Sequence, residues 1–130
     1  MKKLILIFAI FLSSCSYVDR GYLKTSDSFM QQIQEGEIER AYKAIFAYEP
    51  LDPGVLNGLV GRTNTHLRRV GKIHNFEKAE EDKISSRLVK VVYISHHDLA
   101  PTKWDFYFFK SPAGQWHALN LKIEDKVENF

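Results

Sequence analysis

The sequence predicts an α+β fold: three N-terminal helices packed on one face of a curved antiparallel sheet of about four strands. Three observations carry this. Apolar residues recur at helical spacing as far as Gly71. Beyond it the spacing changes to strand alternation, and Ser111-Pro112-Ala113-Gly114 divides two aromatic-rich segments as a turn would.

In the first helix, Phe29, Met30 and Ile33 share one side of 26–35, with Ser26 or Asp27 as N-cap and Gly36 as terminator. Ile38, Ala41, Tyr42, Ile45 and Phe46 then fall at i, i+3, i+4, i+7 and i+8, an apolar stripe that ends before Pro50 and Pro53. Asp52 caps a third helix whose first position is Pro53, where a missing N–H costs nothing. Leu56, Leu59, Val60, Thr63, Leu67 and Val70 continue one face of it, and Gly71 closes it. Arg68, Arg69 and Lys72 complement the negative end of its dipole.

Residues 73–81 (IHNFEKAEE) read as a charged edge strand, although the same glutamates and lysines would support a helix. Residues 86–95, 103–110 and 115–123 are rich in β-branched and aromatic side chains and read as strands. Serine at i, proline at i+1 and glycine at i+3 specify a type I turn between the last two. Closing that hairpin on Ser111 and Gly114 pairs Phe109 with Trp116, Phe108 with His117 and Asp105 with Asn120. Trp104, Phe106, Phe108, His117, Leu119 and Leu121 then face the helices, and Asp105, Tyr107, Phe109, Trp116, Ala118 and Asn120 face away.

The chain opens with a basic pair, Lys2 and Lys3, and an unbroken apolar run, Leu4 to Leu12. That is the layout of a secretory signal, too short to span a bilayer. Leu12-Ser13-Ser14-Cys15 resembles the lipobox of bacterial lipoproteins. The resemblance implies a signal peptide over 1–14 and an acylated Cys15 anchoring the protein to a membrane; the polar stretch behind it reads as a short tether over 15–24, and the remaining length as one domain over 25–130. Ser16 stands where an aspartate would imply inner-membrane retention, so a Gram-negative source implies the periplasmic face of the outer membrane. Removing Lys2 and Lys3 leaves 16 basic against 16 acidic residues. A balanced surface argues against nucleic acid as a partner, because phosphate backbones select cationic surfaces. No thiol remains for a disulfide, so the fold must rest on its apolar core.

The run F-M-Q-Q-I-Q-E-G-E-I-E-R-A-Y (29–42), the passage L-R-R-V-G-K-I (67–73) and the strand G-Q-W-H-A-L-N-L-K-I (114–123) together resemble the nuclear transport factor 2-like superfamily. This is the cone-shaped fold also used by ketosteroid isomerase and scytalone dehydratase. The resemblance covers roughly 25–125 and is similar to that of uncharacterised bacterial lipoproteins of the superfamily. It implies a cone between helices and sheet, and an outer sheet face that often forms homodimers.

The predicted register places Asp105 and His117 on opposite faces, which removes the best acid–base pair. His117 alone reads as a hydrogen-bonded core residue or, less simply, as a base. No G-x-S-x-G, H-E-x-x-H or phosphate loop occurs, and His96-His97 lacks a third ligand at metal spacing, so neither a metal nor a cofactor is expected. The sequence therefore points to a non-enzymatic interaction or binding module. Its candidate interface, Asp105, Tyr107, Phe109, Trp116 and Asn120, would meet a second copy or an envelope protein, or be covered by the C-terminal tail (124–130) or the connector. The alternative is a small-ligand carrier or vestigial enzyme with a pocket lined by Tyr42, Phe46, Trp104, Phe108 and His117, residues that serve equally as plain core.

Overall fold

A computed structural model describes residues 19–130; the leader and Cys15 lie outside the described residues. Three helices, α1 (Gly21–Gln34), α2 (Ile38–Ile45) and α3 (Pro53–Val70), precede four strands, β1 (Ile73–Ser85), β2 (Leu88–His97), β3 (Pro101–Lys110) and β4 (Trp116–Glu124). The strands form an antiparallel meander in the order β1-β2-β3-β4. The helices pack against this sheet, an α+β arrangement.

Local chemistry explains the element ends. The Asp52 carboxylate accepts from the Gly54 N–H at 2.8 Å, and Pro53 opens α3. Gly71 closes it at φ +93°, and a Cβ there would lie 2.7 Å from Asp98. The charged segment beginning at Ile73 is a strand, and it is longer than the sequence predicted. Its pairing with β2 shifts three times, and its many charges guard an open edge.

The first helix departs from expectation. It begins at Gly21, not near Ser26, so four residues assigned to the tether belong to it. Tyr22 explains the difference. It is buried against Phe108 and Trp116, and this packing holds a polar-looking segment helical. Ser26, expected as a cap, is buried mid-helix with its hydroxyl on the Tyr22 carbonyl.

Phe106 and Phe108 of β3 stack beneath the helices, and Phe29 meets Phe106 and Tyr42 edge-on at 5.4 and 5.2 Å. Val89, Val91 and Tyr93 of β2 and Met30, Ile33, Ala41 and Ile45 of the helices complete the core. Each fully buried side chain of this kind contributes about 1.5–3 kcal/mol.

The β3–β4 register differs from the predicted one, and the turn explains why. The Gly114 N–H bonds to the Ser111 carbonyl as a type I turn requires, but the closing pair is Ser111 with Gln115, because Gly114 takes φ +86°. Phe109 therefore pairs with His117, and Lys110 with Trp116. One residue of slip reverses every side chain near the turn. Trp116 and Ala118 turn toward the core, whereas His117 shares the outer side with Phe109. The register slips again between Tyr107 and Phe108, leaving Leu119 as the extra, 58% exposed residue. That second slip returns Leu121 and Ile123 to the inner face opposite Phe106 and Trp104.

Candidate functional site

The third helix is less thoroughly covered than its stripe implies. Thr63 and His66 interrupt the apolar positions and are buried, while Leu59, Val60 and Leu67 are only half-buried. Between this helix and β4 lies a cleft of about 440 Å³. Its apolar walls are Tyr42, Leu59, Leu121 and Ile123, and its charged lining is Arg62, Arg69, Lys122 and Asp125. Arg62 and Arg69 are two turns apart on one row of α3. Arg69 pairs with Asp125, just beyond the end of β4, whereas Arg62 makes no ion pair among the described residues.

The polar groups at the floor are held in fixed roles. The Tyr42 hydroxyl and Thr63 Oγ1 are 2.8 Å apart, and burial raises the phenol pKa. Arg69 Nη2 donates to His66 Nδ1 at 3.1 Å, so His66 Nε2 carries the proton and donates to Thr102 Oγ1 at 2.7 Å. Burial first, and the Arg69 charge second, lower the His66 pKa and keep the ring neutral. Behind it, Trp104 Nε1–H donates to Ser95 Oγ at 2.8 Å and Ser95 donates to His97 Nε2 at 2.7 Å. His97 Nδ1–H in turn reaches the Gly71 carbonyl at 2.9 Å. Burial lowers the His97 pKa as well. The two rings meet edge-on at 6.2 Å. Every ring nitrogen is engaged, so proton transfer through His66 would first break one of its two bonds.

The sequence-predicted pocket residues are dispersed. Tyr42 borders the cleft, and Tyr42 and Phe46 both line a second, apolar hollow of about 530 Å³ between α2 and the start of α3. Trp104 and Phe108 are fully buried core. His117 lies elsewhere, its ring stacked on Tyr48 at 3.4 Å. Asp105 and His117 share the outer side but sit four positions apart along the ladder, about 13 Å, so they form no dyad. His96 and His97 point apart: His96 approaches Glu77, and His97 turns into the core.

Of the predicted interface, Asp105, Tyr107, Phe109 and Asn120 lie on the outer face, and Trp116 does not. Asp105 is buried there, its Oδ1 without a hydrogen bond among the described residues and 3.6 Å from Lys103 Nζ. The Arg87 guanidinium lies over Phe109 at 5.1 Å. The sequence reading missed Arg62, Thr63, His66, Arg69 and Asp125 as a group. The available signal was the pair Thr63 and His66, polar residues three apart within an apolar helical stripe. Compared with protein families, curated proteins and solved structures, the chain matches none.

Proposed function

We propose that this chain is a lipid-anchored, non-enzymatic binding module of the cell envelope, which holds a small ligand in the cleft between α3 and β4. The supporting observation is the cleft itself: apolar walls, a basic rim where Arg62 has no ion pair among the described residues, and buried polar groups already committed to one another. Its volume lies in the range of small-molecule sites, about 300–1,000 Å³. The lipobox-like Leu12-Ser13-Ser14-Cys15 supports the anchor, and a cone of the nuclear transport factor 2-like kind suits a cleft between helices and sheet. A Gram-negative source would place the module at the periplasmic face of the outer membrane.

The amphipathic dye 8-anilinonaphthalene-1-sulfonate tests the site. Its fluorescence should rise on binding, and Leu121→Trp, which fills the floor, should weaken the affinity at least tenfold. Tyr107→Lys on the outer face should leave it unchanged. Equal affinity in wild type and Leu121→Trp would contradict the assignment. Labelling with a palmitate analogue should mark wild type and not Cys15→Ser; equal labelling would remove the anchor.

The outer face supports a second reading, as a contact for another copy or an envelope protein. It carries Tyr107 and Phe109, and the Asp105 oxygen that has no hydrogen bond among the described residues would accept a partner's donor. Sedimentation of wild type against Tyr107→Lys tests it. A dimer lost in the variant supports the contact, and a monomer in both excludes self-association.

A further inference from the structure

The Arg69–Asp125 pair sits at the rim of this cleft. Asp125 stands outside the ladder, at the start of the C-terminal segment, and presents its carboxylate to Arg69 at the rim. The same carboxylate oxygen lies 3.9 Å from His66 Nδ1, the acceptor that shares the Arg69 guanidinium. Inward of it lie Tyr42, Leu59, Leu121 and Ile123. A carboxylate thus stands at the mouth of a hollow whose walls include Tyr42, Leu59, Leu121 and Ile123.

We infer that the cleft takes apolar monocarboxylates, the ligand carboxylate replacing that of Asp125 on Arg69 and its hydrocarbon body lying on Leu59, Leu121 and Ile123. This rests on the cleft being the ligand site. Charge and exposure both favour the exchange. The Arg69 side chain is 65% exposed, and an ion pair so open to water contributes little to stability, so it yields readily to a carboxylate that also buries hydrocarbon. Arg62, two turns away on the same row and without an ion pair among the described residues, adds a second positive charge. It leaves the rim cationic once Asp125 has swung out. His66 stays neutral beside Arg69 and contributes no competing charge. A neutral alcohol of equal length gains the hydrocarbon burial but not the guanidinium, and a quaternary ammonium meets two arginines.

Calorimetric titration of the full chain carrying Cys15→Ser with decanoate, acetate, decanol and decyltrimethylammonium tests this. Decanoate should bind at least tenfold more tightly than either acetate or decanol, and decyltrimethylammonium should not bind. Asp125→Asn, which removes the internal competitor, should tighten decanoate several-fold and leave decanol unchanged. Arg69→Gln should lose the preference for decanoate over decanol. Equal binding of decanoate and decanol, or weaker decanoate binding in Asp125→Asn, would overturn the carboxylate assignment while the cleft remains the ligand site. Loss of both ligands together with the sulfonate dye would overturn the cleft as well.

Discussion

At the scale of single residues, the fold depends on buried polar groups that pair with one another, as Trp104, Ser95 and His97 do. Ser95 stands between the Trp104 indole and His97, so Ser95→Ala leaves a buried donor and a buried acceptor without a partner. Leaving such a group unsatisfied costs about 1–3 kcal/mol. Urea unfolding should register a loss in that range; a loss below about 0.5 kcal/mol would mean that the chain through Ser95 is unimportant. The same residues set a pH dependence. Burial lowers the pKa of His66 and His97 below 6.5, so the unfolded chain takes up protons first as the pH falls. Stability is therefore full above pH 6.5 and declines through the folded-state values. Glu81 extends the decline into more acid solution. The Arg20 guanidinium, with Tyr22 and Lys78, holds its carboxyl at about 2 against an ordinary 4.5, and stability is lost between those values. Denaturant midpoints measured from pH 7.5 to 4 should fall steadily, and a flat profile would contradict neutral buried histidines.

The elements show where sequence rules suffice and where they stop. Asp52, Pro53 and Gly71 mark both ends of α3 because capping is local chemistry, and the structure keeps each mark. Asp52→Ala should cost about 1 kcal/mol, read from thermal or urea unfolding. Gly71→Ala should cost more, since it forces a side chain into the left-handed region and against Asp98. The start of α1 was not legible, because Tyr22 is helical for the sake of Trp116, which lies 94 positions further along the chain. The hairpin was legible as a turn but not as a register. Glycine at 114 is compatible with closing the pair at either Gly114 or Gln115, and that choice reverses Trp116 and His117. Contacts between Trp116 ring protons and Tyr22 in a nuclear Overhauser spectrum would confirm the observed register. A Trp116 ring in contact only with Phe109 would restore the predicted one.

Over the whole molecule, helical periods followed by strand periods were enough to specify three helices on a four-stranded antiparallel sheet, because burial on one face imposes those periods directly. The cleft was harder to read. It arises where α3 runs beside β4 without fully covering it, and no periodicity encodes such a gap. Tyr42 was identified from its place on an apolar stripe. Arg69 was read only as a complement to the helix dipole, since its partner Asp125 is 56 residues away. The account stands on that cleft as a ligand site, and amide chemical-shift mapping with the sulfonate dye tests it most directly. Shifts concentrated in residues 59–69 and 120–125 are the predicted result. Shifts concentrated on residues 103–109 of the outer face, with α3 unmoved, would contradict it.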